Sequence, residues 1–171
     1  VKSLVRSDAS LPFYSFAIRV VQDRDIFMEE AVLWEKAIWK WLQIFEILGF
    51  PGMLGHALLS EQVDTTLASQ SLVLRDALGI KSPRTALKRA QTFLRYFSWL
   101  QSNFQDWDPW NRVMCLQYIG QVGARAGPAS KGITLLEALR FGRYVMDLPI
   151  PEGLLSDPQL RGRAQRLMIS K

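Results

Sequence analysis

Residues 82–102 read SPRTALKRAQTFLRYFSWLQS, and this stretch decides the fold. Ser82 is a side-chain cap standing before Pro83, the residue best tolerated at a first helical position. Behind them Leu87, Ala90, Leu94, Phe97 and Leu100 recur at steps of three and four, which predicts a helix with one buried face. At about 100° per residue, Arg84, Lys88, Gln91, Arg95 and Ser98 fall on a single stripe roughly 80° wide. No acidic residue interrupts that row. Long cationic donors with an amide among them suit a helix lying beside a DNA groove, where Arg and Lys neutralise phosphates and Gln reads a base edge. The plainer alternative is a solvated helix face that happens to be basic.

Working outward, Asp108-Pro109 and Asp157-Pro158 repeat the same cap-and-proline signal. Helices are expected over residues 82–102, 108–126, 128–147 and 156–168, with Gly127 and Pro149-Ile150-Pro151 as separators. Upstream, Trp34, Ile38, Trp41, Phe45 and Leu48 give a helical period over residues 23–48. Gly49, Pro51, Gly52 and Gly55 end that helix. A second one runs to about Leu78, with Ser60 as half a capping signal and Gly79 as its stop. No strand pattern, internal repeat or low-complexity tract competes, so the fold class is all-α.

Composition narrows the chemistry. Of 171 residues 49% are hydrophobic and 22% charged, which is globular composition rather than disorder. One Cys excludes an internal disulfide, and one Cys with one His leaves no zinc set. No cofactor, metal or small-molecule ligand is expected. The apolar region 26–59 is broken by Glu29, Glu30, Glu35, Lys36, Lys40 and Glu46, so no membrane span is expected. Residues 1–20 lack the pattern of a secretory signal, and an intracellular protein is expected. Because the chain starts at Val1 rather than Met, it reads as part of something longer.

Charge is uneven. Residues 80–171 carry fourteen basic against six acidic side chains, a net of +8, while residues 1–79 carry seven against ten, a net of −3. A boundary near Gly79 to Lys81 therefore separates an acidic, Trp-rich segment from a basic one, and the basic segment points to a polyanion.

The order of parts after Ser82 resembles the core-binding domain of tyrosine recombinases and phage-type integrases, the SAM-like helical module preceding their catalytic domain. The residues that carry it are Ser82, Thr85, Phe97 and Trp99, then Tyr118-Ile119, then Gly127-Pro128-Ala129-Ser130-Lys131 leading into residues 135–141, LLEALRF. Pro149 to Pro151 and Leu160-Arg161-Gly162-Arg163 resemble the approach to the interdomain linker. The resemblance covers about half the chain, and its motifs are helix lengths and spacings with few fixed residues. It implies a four-helix crossed-hairpin bundle preceded by an additional helical segment, gripping duplex DNA as half of a clamp with its first and third helices near the major groove. It also implies nuclear or nucleoid localisation, a mobile-element origin and a homo-oligomer on DNA. Carried over residue by residue, the DNA contacts are Arg84, Lys88, Gln91 and Arg95 on the first helix, and Ser130, Lys131, Thr134, Arg140 and Arg143 on the third. Arg161 and Arg163 are carried over as DNA contacts too, and with Arg166 they approach the linker.

The sequence departs from that family in two ways. The acidic segment before Lys81 has no counterpart, and the catalytic half is missing. His56 is followed by Leu59 rather than the family's Arg at the third position. Tyr96, Tyr118 and Tyr144 are expected to pack rather than to attack phosphate. The chain is therefore expected to be non-catalytic. His56 has no partner for general-base work, and Cys115 reads as a buried small hydrophobe. Gly120, Gly123 and Gly127 stand in or at the end of a helix, not in a phosphate loop. Trp34, Trp39 and Trp41 read as core, Trp39 being the most exposed. A reading of another class stays open: a helical protein-interaction module whose basic face meets an acidic partner and whose Trp-rich helix docks.

Overall fold

The computed structural model describes residues 26–60, 67–124 and 131–169. All regular structure among them is helical: α1 Ile26–Leu48, α2 Gly52–Ser60, α3 Leu67–Leu78, α4 Pro83–Asn103, α5 Arg112–Ala124, α6 Lys131–Tyr144, α7 Glu152–Leu155 and α8 Pro158–Ile169. No single helix among the described residues is long and apolar enough to cross a membrane. The described residues form two compact units that divide between Ala90 and Gln91, within α4.

In the first unit the expected period on α1 is buried except at its last position, Leu48, which is half-buried. Trp34, Ile38, Trp41 and Phe45 are enclosed, joined by Ala37 and Ile44 on the flanks of the same face. The Trp41 indole N–H donates to the Ala86 carbonyl over 3.0 Å, so a buried donor that would otherwise cost about 1–3 kcal/mol is satisfied. The Arg75 guanidinium lies 4.0 Å from the Trp34 ring centroid, a cation–π contact between α3 and α1. Trp39 is half-buried, the most exposed of the three tryptophans as expected.

The glycine-rich stretch after α1 does more than end it. The Phe50 N–H donates back to the Phe45 carbonyl over 2.7 Å with Gly49 and Phe50 both at positive φ, the reversal that closes a helix C-terminus. A new helix, α2, then begins at Gly52. Gly55 is required within it, because a Cβ there would stand 2.2 Å from the Phe50 carbonyl carbon and oxygen. The expectation that residues 49–55 only punctuate, with Ser60 starting the next helix, is corrected. Ser60 is the last residue of α2, its hydroxyl donating to the His56 carbonyl over 2.9 Å, and His56 lies within the same helix. Gly79 stops α3 as expected, at φ +55°.

The core of the second unit is aromatic. Phe93, Tyr96 and Phe97 from α4 meet Trp107 and Trp110 of the following turn and Tyr118 of α5, with ring centroids 4.8–6.3 Å apart. Such tilted and edge-on pairs add about 0.5–1.5 kcal/mol each beyond area burial. Helices α5, α6 and α8 pack against one another through small residues. A Cβ at Gly132 would lie 3.1 Å from both Ala164 and Ile119, so three helices approach closely there.

Two of the three cap-and-proline signals start helices where expected. The Thr85 N–H donates to Ser82 Oγ over 3.1 Å, and the Gln159 and Leu160 N–H groups both donate to Asp157 Oδ1. The third is corrected. Asp108 accepts the Trp110 N–H and closes a turn, and the helix begins at Arg112 with Asn111 as its cap, through the Met114 N–H at 3.1 Å. The segment 149–151 is a separator, with the short α7 between it and α8.

Candidate nucleic-acid interface

The α4 stripe survives folding in the order read from sequence. Arg84, Lys88, Arg95 and Ser98 are exposed and Gln91 is half-buried, while Ala86, Ala90, Phe93, Tyr96, Phe97 and Leu100 are buried behind them. Leu94, expected in the core, is only half-buried, and the wholly buried Phe93 and Tyr96 define that face better. The row is not free of acids once other helices are counted. Glu29 on α1 brings its carboxylate to 4.0 Å from the Arg84 guanidinium.

The third-helix row does not assemble. Ser130 lies outside the described residues. Lys131 and Arg140 are both exposed, but nine residues amount to about two and a half turns and set them on opposite sides of α6. Thr134 is half-buried. The exposed side of α6 carries Glu137, Arg140 and Tyr144.

Arg143, carried over as a DNA contact, is committed to the protein. Its guanidinium donates to the Ile150 carbonyl and pairs with Glu152 at 3.0 Å, bracing the segment that joins α6 to α7. Arg163 is committed in the same way. It donates to the Leu116 carbonyl over 3.1 Å, and its side chain crosses Gly120, where a Cβ would meet it at 3.5 Å. Arg112 is engaged by Asp157 and Gln159. Arg161 and Arg166 on α8 are exposed.

Three tyrosines resolve into two kinds. Tyr96 is wholly buried. Its hydroxyl donates to the Pro109 carbonyl over 3.0 Å and stands 2.9 Å from the Cys115 thiol. Burial raises the Tyr96 phenol far above its usual range and pushes the Cys115 thiol up to about 11, because an anion there would lose its water. Tyr118 is also buried, and burial raises it too. Both behave as the packing residues expected. Tyr144 does not: it is 64% exposed, its hydroxyl donating to Glu152 over 3.1 Å. No group of His, Cys, Asp and Glu among the described residues could hold a metal ion.

The charge contrast depends on where the chain is divided. Up to Ala90 there are eleven basic and ten acidic side chains, a net of +1, and from Gln91 ten and six, a net of +4. Lys81, Arg84, Lys88 and Arg89 belong to the first compact unit, so the change of charge sign read at Gly79 falls inside that unit. Sequence reading missed Glu29 and Tyr144. Nothing local signals the first, whereas the helical wheel does signal the second, putting Tyr144 about 40° from Arg140.

No protein-family model matches this chain, nor does any curated protein or solved structure.

Proposed function

We propose that this chain binds duplex DNA through the basic stripe of α4, as the non-catalytic, core-binding part of a tyrosine recombinase-like protein. The observation that carries the reading is the exposure of Arg84, Lys88, Arg95 and Ser98 along one 21-residue helix whose opposite side is buried. Cations so placed replace condensed counterions on phosphates, and release of those ions drives binding. Arg161 and Arg166 on α8 are also exposed. Arg143 and Arg163 are reassigned as structural residues. The crossed-hairpin arrangement of α4, α5, α6 and α8 belongs to this proposal; the mutual packing of α5, α6 and α8 supports it. The Tyr96 phenol, wholly buried and bonded to the Pro109 carbonyl, is not placed to attack a phosphate.

The test is binding of the full chain to a mixed-sequence duplex across a salt series. With about five to seven phosphates neutralised, the slope of log affinity against log salt is expected at roughly −4.5 to −6. Arg95→Ala should flatten it by about one unit, whereas Arg163→Ala should leave the slope and instead lower stability by about 1–2 kcal/mol. A duplex that fails to bind at low salt ends the proposal.

One observation favours a second reading, a protein-docking module. In the first unit Met53, Leu72 and Ile80 are large apolar side chains left 85%, 62% and 101% exposed. Binding to heparin equal to that of duplex, together with a defined protein complex lost in Met53→Ser, would favour it.

A further inference from the structure

Among the residues whose side chains are described Tyr144 is the only Phe, Tyr or Trp left exposed, and it is held in place. Its hydroxyl donates to Glu152 Oε1 over 3.1 Å. The other carboxylate oxygen of Glu152 pairs with Arg143 at 3.0 Å. Arg143 is itself tied to the Ile150 carbonyl, and its guanidinium carbon lies over the Tyr144 ring, 5.7 Å from the centroid. The ring is thus fixed at its tip and backed by a cation on one face, with much of its surface in water. One turn earlier on the same side of α6 stands the exposed Arg140.

We propose that Tyr144 and Arg140 form a stacking site for an unpaired nucleobase, so that the second unit also takes single-stranded nucleic acid. This rests on the nucleic-acid reading above. A flat aromatic face accepts any base by stacking, and a cation at the spacing of one helical turn meets the strand's phosphate. Fixing the ring beforehand removes most of the ordering cost that a mobile side chain would bear on binding. The other exposed side chains described on that side of α6 are Glu137 and Arg140, which suits a planar, charged ligand better than an apolar peptide. The Glu152 charge that would repel a phosphate is compensated by Arg143.

The test compares full-chain binding to oligothymidylate and to an abasic strand of the same length, with a duplex as control. Wild type should prefer the strand bearing bases. Tyr144→Ala should lower affinity for oligothymidylate at least about fivefold, the lower end of base–aromatic stacking, and leave the abasic strand and the duplex unchanged. Tyr144→Trp should retain the preference, and Arg140→Ala should weaken both single strands alike. If Tyr144→Ala keeps the wild-type ratio while the duplex still binds, the stacking site is wrong and the duplex reading stands. A chain that binds base-bearing strands through Tyr144 but no duplex would retain the stacking site and remove the α4 groove reading. Binding to none of the three overturns both.

Discussion

The Glu29 carboxylate stands 4.0 Å from the Arg84 guanidinium, and both side chains are mostly in solvent, 61% and 74% exposed. A loose exposed pair of this kind is worth about 0–1 kcal/mol. A phosphate can displace it, at the cost of that small sum.

Glu29→Gln should therefore raise duplex affinity at low salt by up to about fivefold. The gain should vanish in an Arg84→Ala background, since the two side chains act through each other. Equal gains in both backgrounds would mean that Glu29 acts only through the general field.

Asp157 couples stability to pH. Its side chain is 9% exposed. The hydrogen bond from Arg112 holds its carboxyl below the usual carboxylate range, helped by the Leu160 and Gln159 N–H groups. A carboxylate depressed in the folded state contributes stability that is fully present above its unfolded pKa, about 3.9, and lost as pH falls through the folded value. Urea midpoints should thus decline below about pH 4. In Asp157→Asn, which retains an N-cap but not the charge, the decline should be shallower.

Two helical glycines should respond to alanine with opposite signs. A Cβ at Gly142 would stand 2.7 Å from Phe93 Cζ and 3.0 Å from Ile150 Cδ1, whereas Gly162 has nothing within 4 Å. Alanine is favoured over glycine inside a helix by about 0.8–1.0 kcal/mol, and Gly162→Ala should gain roughly that. Overpacking costs about 1–3 kcal/mol, so Gly142→Ala should lower the midpoint in the same titration.

Cys115 should be inert in the folded chain. The Tyr96 hydroxyl and the Cys115 thiol share a hydrogen bond at 2.9 Å beside the Pro109 carbonyl, which either can reach, and burial keeps that thiol protonated at neutral pH. Alkylation by iodoacetamide should be negligible in buffer and should rise with urea along the unfolding curve. Fast labelling of native protein would mean that the thiol is not enclosed as described.

Much of this architecture is legible in local chemistry. Ser82 and Asp157 cap the helices they precede, because a side-chain oxygen two or three residues from an orphan N–H reaches it without help from elsewhere. Asp108 misleads for a reason of the same kind. It accepts an N–H two residues on and closes a turn, and Asn111 then offers a second cap, so two caps in succession cannot be ranked from sequence. Residues 49–55 mislead differently. Glycine and proline mark a change of direction, and nothing in them says that a further helix begins within the same seven residues.

Periodicity within one helix decides which residues share a face, and it suffices for the helical class, the buried side of α1 and the exposed basic row of α4. What the cations meet depends instead on packing between helices. Arg163 reaches the Leu116 carbonyl across 47 positions, and Arg84 meets Glu29 from another helix. A backbone carbonyl is the same group at every residue, so which one a guanidinium finds is set by how distant helices pack, not by the spacing of side chains along the chain.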